Sequence, residues 1–230
     1  MPPTLAIIAA LPREIAPLVR GLTPHPAFRH RSIFLYELPG AIVVAAGMGG
    51  HRATLALEAA RAVAPIATVV STGLAGACVP HLPAGRAAEA ATIIDSRTGE
   101  RFRTAAAVPL DPEHTLVTSD GIAGVAEKSR LAQAYNAALV DMEAATLARL
   151  ARAHGLGFRA IKAISDGPDF ELPSLSQFAD REGHFRSGAF AWHTALRPRD
   201  WRRAAQLGRN SSRALRELTE ALQRAIEQHR

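Results

Sequence analysis

A chain of 230 residues that is 48% hydrophobic and 21% charged has the composition of a folded globular protein and the length of one substantial domain. It has no apolar run near the roughly 20 residues that span a bilayer. Its one cysteine, Cys78, excludes an internal disulfide framework and a cysteine-rich metal site. The net charge of +6 is concentrated at one end: from Arg197 onward there are nine arginines and four acids, which gathers positive potential on that segment.

In chain order, residues 5–11 are apolar but lack a preceding basic stretch. A charged helix start follows them, so they read as a first strand and not as a signal peptide, and a cytoplasmic enzyme fits. Residues 5–10 and 41–46 are Ile- and Val-rich runs bounded by Pro or Gly, as buried strands are. Residues 52–63 carry Leu55, Leu57, Ala60 and Val63 on related faces of a helix that Pro65 stops. Residues 66–71 predict another strand, and the Gly-rich residues 72–76 predict a turn at its end. Residues 90–95 and 115–118 are further strand candidates. A helix over 142–154 ends at Gly155, with a strand over 158–164 after it.

Alternating strands and helices predict a three-layer αβα sandwich with a mixed central sheet, in a single domain over residues 1–230. Residues 169–230 form a divergent C-terminal excursion. Within it, residues 169–199 show little periodicity, and residues 201–228 predict an amphipathic closing helix interrupted by Gly208.

Open α/β sheets bind ligands beyond the carboxyl ends of their strands. Three acids sit there: Glu14 after the first strand, Glu143 at a helix start and Asp166 at a strand end. Singly, each has an ordinary reading. Glu14 and Glu143 suit the first turn of a helix, and Asp166 suits a cap or turn. Together they should converge on one rim.

The stretches that carry these acids resemble the nucleoside phosphorylase superfamily, on its methylthioadenosine/S-adenosylhomocysteine nucleosidase side. Ile-Ile-Ala-Ala-Leu-Pro-Arg-Glu-Ile, ending at Ile15, is similar to the family's opening strand and glutamate. Ala-Gly-Met-Gly-Gly at 46–50 and Ser-Thr-Gly-Leu-Ala-Gly at 71–76 resemble its glycine turns. The most specific pair is Val-Asp-Met-Glu-Ala-Ala at 140–145 followed by Ala-Ile-Ser-Asp at 163–166.

The resemblance implies a phosphorylase/hydrolase-like fold, a small-molecule adenine nucleoside as substrate, no metal or other cofactor, and a homodimer or higher homo-oligomer. It implies that Asp166 protonates the departing purine, Glu143 holds the ribose hydroxyls with Met142 packed beside the sugar, and Glu14 activates water. Ser165, Ile122, Gly76 and Leu74 would complete the substrate contacts.

Departures from the pattern keep rivals open. Leu74 stands where the nucleosidases carry serine, and Ile122 where an aromatic residue stacks on the purine. Ser71 replaces the phosphorylases' anion-binding arginine, which points to hydrolysis, although Arg13, Arg20 or Arg52 are alternative anion sites. Leu74 and the basic tail are also similar to hopanoid-associated phosphorylases, so phosphorolysis of an adenosyl lipid such as adenosylhopane is one rival. A weakly active nucleoside-binding or membrane-surface module is another.

The tail itself has two readings. It is either a solvated arginine face with Trp201 and its leucines on the sheet, or a weak peripheral contact with the inner membrane face. Scarce aromatic residues and the absence of any recognition motif argue against nucleic acid. His51, beside Gly50, is a weaker phosphate or sugar candidate. His154, His184 and His193 are too scattered for an ordinary metal site. Trp192, like Trp201, reads either as a packing anchor or as an interface residue.

Overall fold

The computed structural model describes residues 4–105, 114–170 and 201–229, so most of the 169–199 excursion, with His184, His193 and Trp192, lies outside the described residues. From the N-terminus, β1 (Thr4–Ala9) leads into the one-turn α1 (Pro12–Ile15), a 3₁₀ turn (Pro26–Arg31), β2 (Phe34–Leu38) and β3 (Ala41–Ala45). Then come α2 (Gly50–Val63), the long β4 (Ile66–Ala77), β5 (Ala87–Ala90), β6 (Thr92–Asp95), β7 (Arg101–Arg103) and β8 (Thr115–Thr118). The remaining elements are α3 (Val125–Tyr135), β9 (Leu139–Asp141), α4 (Ala144–Ala153), β10 (Gly157–Asp166) and α5 (Trp201–His229).

The sheet runs β2-β3-β1-β4-β9-β8-β6-β7, with β10 pairing both β4 and β5. It is mixed. β1 is parallel to β3 and β4, and β10 is parallel to β4, whereas β2, β5, β7 and β9 each make an antiparallel pairing. The central strands are apolar at nearly every position because helices cover both faces. On one face Ala6, Ile8, Val44 and Val69 pack with Leu57 and Ala60 of α2 and Leu147 and Ala151 of α4. On the other, Leu5, Ile7, Val43, Val70 and Ile161 pack with Ala214, Leu218, Leu222 and Ile226 of α5. Each buried Leu or Ile on that helix contributes about 1.5–3 kcal/mol. A third cluster joins Leu131 of α3 to Ile94, Val117 and Val140.

Three local expectations are corrected. The Gly-rich residues 72–76 are not a turn: β4 continues through them to Ala77, because β10 pairs alongside from Gly157 to Asp166. The run 90–95 is two strands broken at Ala91, with Ala90 ending β5 and Thr92 opening β6. Gly208 does not interrupt α5, which is continuous from Trp201 to His229. Glycine costs about 1 kcal/mol in a helix interior, and the packed C-terminal half of this helix offsets that.

The tail's leucines follow the packing reading: Leu218 and Leu222 are buried on the sheet, and Leu207 and Leu215 are half-buried. Trp201 does not, being 55% exposed, and Arg202, Arg203, Arg209, Arg213 and Arg216 are exposed. Among the described residues no helix is long and apolar enough to cross a membrane.

Candidate active site

At the carboxyl ends of β1, β4, β9 and β10 lies a cleft of about 550 Å³. Glu14, Leu74, Gly76, Ile122, Met142, Glu143, Ser165 and Asp166 all line it, and α5 closes one side with Ala204, Leu207 and Leu215. Clefts of this size suit small-molecule ligands.

Glu14 follows β1 on α1, whose first residue is Pro12, a position where the missing N–H costs nothing. The side chain folds back so that Oε2 accepts from the backbone N–H of Ala10 (3.1 Å) and Leu11 (2.9 Å). Oε1 accepts from the N–H of Leu74 (3.1 Å) on β4. This arrangement explains the glycine before Leu74: a Cβ on Gly73 would lie 2.6 Å from Glu14 Oε2, and its φ of +116° is strained for any other residue. Glu14 is buried, and desolvation raises its pKa above the usual carboxylate value, against the lowering pull of the Leu11 and Leu74 amides, Lys162 and Arg13.

Glu143 occupies the cap position of α4, and its Oε1 accepts from the N–H of Gly49 (2.7 Å) in the glycine turn after β3. Loss of solvent around the carboxyl, reinforced by the neighbouring Asp141 charge, pushes its pKa up to about 7. Asp141 is itself tied down. It pairs with the fully buried ammonium of Lys162 (2.8 Å) and accepts from Thr118 Oγ1 (2.7 Å) and the Ala144 N–H (3.0 Å). Lys162 also donates to Ser71 Oγ (2.9 Å). Ser71, at the position considered for an anion-binding arginine, is therefore buried beneath the cleft and holds an internal lysine.

Asp166 ends β10 with its side chain 16% exposed. Its Oδ2 accepts from the ammonium of Lys128 on α3. Oδ1 meets the hydroxyl of Ser165, which also lies 3.2 Å from the carbonyl oxygen of Ala75. A serine hydroxyl has one hydrogen. Given to Ala75, it leaves Ser165 Oγ to accept from a protonated Asp166; given to Asp166, it meets a carboxylate.

Of the arginines considered for an anion, Arg13 lines the cleft, whereas Arg52 donates to the carbonyls of Ala46, Arg31 and Ser32. Arg20 and His51 are exposed and outside the lining. His154, exposed, contacts Arg61. Sequence reasoning assigned no role to the two lysines, Lys128 and Lys162. The available signal was their rarity, two among 27 basic residues. Cys78 lies buried nearby, its thiol pushed up to about 11 by desolvation.

A mixed sheet between helical layers, with carboxylates gathered at its strand ends, defines a phosphorylase/hydrolase-like α/β fold. The Phosphorylase superfamily profile matches residues 4–113 and 112–189, and the chain belongs to that superfamily, whose enzymes act on glycosidic bonds.

Among solved structures, the apo 5′-methylthioadenosine nucleosidase of Arabidopsis thaliana is similar with a TM-score of 0.73 and 16% identity, over 100% of this chain and 97% of that one. A mutant Helicobacter pylori MTAN with 5′-methylthioadenosine in the active site gives 0.65 and 15%, over 96% and 100%. The Helicobacter pylori futalosine hydrolase gives 0.64 and 16%, over 95% and 98%. No curated protein matches the chain at significant similarity.

Proposed function

We propose that the protein is a nucleosidase that hydrolyses the N-glycosidic bond of an adenine nucleoside of the methylthioadenosine/S-adenosylhomocysteine type. Asp166 gives a proton to the imidazole-ring nitrogen of the base, and Glu143 accepts hydrogen bonds from the ribose 2′- and 3′-hydroxyls. Glu14 takes a proton from the attacking water, and its negative charge stabilises the oxocarbenium-like sugar. The 5′-methylthioadenosine bound by the Helicobacter pylori neighbour is consistent with this substrate class, and the α5 wall, with Ala204, Leu207 and Leu215 beside Ser211 and Ser212, suits a thioether 5′-substituent.

The observation that carries hydrolysis over phosphorolysis is the occupancy of the backbone amides. The N–H groups of Ala10, Leu11 and Leu74 point at the Glu14 carboxylate, and that of Gly49 at Glu143. A phosphate would displace these bonds and sit against two carboxylates. The nearby ammonium of Lys162 has no exposure and is neutralised by Asp141. Arg13 lines the cleft, but its charge already acts on Glu14, and an anion only partly paired there is costly.

The test is adenine release from a panel of 5′-substituted adenosines, each with and without phosphate. Phosphate is expected neither to accelerate release nor to enter the product. A ribose-1-phosphate derivative as the main product would replace this reading with phosphorolysis, with Arg13 the first residue to change to Ala.

A second expectation follows from Glu143. With its pKa near 7, the acid form dominates at pH 6 and the carboxylate at pH 8. Only the carboxylate accepts from both ribose hydroxyls, so nucleoside affinity should rise with pH through 7 and level off above it. Titration calorimetry with methylthioadenosine and the Asp166→Asn variant, expected to bind with turnover lowered at least about 10²-fold, reads this directly. Adding Glu143→Gln should lower affinity and flatten the profile, and an unflattened profile would assign the titration to another group.

A further inference from the structure

Lys128, buried to 1% exposure, is part of the cleft lining, and the chemistry proposed above makes no use of it. Lysine is almost never fully buried without a partner. Its ammonium has three hydrogens and three acceptors: Asp166 Oδ2, the carbonyl oxygen of Gly167 (2.8 Å) and that of Phe170 (3.4 Å). One cation thus grips one oxygen of Asp166 and the backbone that follows it. The opposite oxygen, Oδ1, is left with Ser165. Gly76 makes room for the pair, since a Cβ there would lie 3.0 Å from Lys128 Cε and 3.2 Å from Asp166 Oδ2.

We propose that Lys128 is the positioning residue for the leaving-group step, holding Asp166 by Oδ2 so that the transferable proton rides on Oδ1. This rests on the reading of Asp166 as the acid that protonates the base. In the step, the Asp166 Oδ1–H bond breaks and an N–H bond forms on the imidazole-ring nitrogen of the purine. The electron pair of the glycosidic bond leaves with the base. Asp166 becomes a carboxylate against an ammonium that keeps all its protons, so the charge that develops on Oδ2 meets a fixed counter-charge. Water supplies the hydroxyl to the sugar, and Glu14 takes the remaining proton, which returns through solvent to Asp166.

The experiment is a double-mutant cycle on the intact protein: wild type, Lys128→Met, Asp166→Asn and the double variant. Each is assayed for adenine release from methylthioadenosine and for nitrophenol release from p-nitrophenyl riboside, whose leaving group needs no proton. Lys128→Met is expected to lower kcat for adenine release about 10- to 100-fold with KM little changed, to cause no further loss in the Asp166→Asn background, and to spare nitrophenol release. An equal fold-loss in both backgrounds, or an equal loss on both substrates, would overturn the proposal while leaving Asp166 as the acid.

Wild-type adenine release by Asp166→Asn would overturn both readings. If Lys128→Met does not fold, Lys128→Gln, which removes the charge but keeps a donor facing Asp166, is expected to give the same split between the two substrates, and a uniform loss there counts against the proposal.

Discussion

Glu14→Gln is expected to lower adenine release by about 10²–10⁴-fold, the range that a positioned general base contributes. An amide cannot take a proton from water, and the damage extends to the architecture that holds it. Both carboxylate oxygens act only as acceptors, toward the N–H groups of Ala10, Leu11 and Leu74. Glutamine has one acceptor oxygen, so its NH₂ must face at least one backbone N–H, and that donor loses its partner. An unsatisfied buried donor costs about 1–3 kcal/mol.

Chemistry and geometry separate by measurement. Nucleoside affinity and the thermal midpoint report the geometry, and single-turnover hydrolysis reports the base. Hydrolysis near the wild-type rate in a folded Glu14→Gln variant would assign water activation to another group. The elevated pKa of Glu14 works in the same direction, because a desolvated carboxylate is a stronger base than one in water.

Much of this site was legible in the sequence because its acids lie where strands end. Isoleucine- and valine-rich runs mark β1, β3 and the start of β4, and Glu14, Glu143 and Asp166 follow strand ends that a largely parallel centre brings to one rim. The end of β4 was not legible. Thr72, Gly73 and Gly76 carry the residue types of a turn, yet these glycines serve close approach: Gly73 admits the Glu14 carboxylate, and Gly76 admits Lys128 and Asp166.

The strands Phe34–Leu38 and Leu139–Asp141 escaped notice because they are short and their pairing is non-local. Helix α3 escaped because its pattern is misleading. Its buried residues are Leu131 and a lysine, so the inward face carries a charge where periodicity looks for an apolar side chain. The two lysines of this chain are both buried and ion-paired, while arginine supplies its exposed basic surface. Residue choice alone therefore held a clue that hydrophobic patterning passed over.

Asp166→Asn is expected to lower turnover on methylthioadenosine by at least about 10²-fold, equivalent to roughly 3 kcal/mol of transition-state stabilisation, with nucleoside binding retained. The surroundings dictate how the amide sits. The Lys128 ammonium has only hydrogens to offer, so the asparagine oxygen must face it and the NH₂ must take the place of Oδ1. There the NH₂ can donate to Ser165 Oγ, whose own hydrogen goes to the Ala75 carbonyl, and its second hydrogen points into the cleft. A purine ring nitrogen still finds a donor, so affinity survives, but an amide hydrogen does not transfer, so the base departs without its proton.

Replacing a carboxylate beside a buried ammonium also removes charge compensation, and the thermal midpoint should fall. Assays therefore belong well below that midpoint. On p-nitrophenyl riboside the same variant should lose little, since nitrophenolate leaves unprotonated. Equal losses on the two substrates would mean that Asp166 shapes the site without protonating the base, and undiminished turnover on methylthioadenosine would remove it from the reaction.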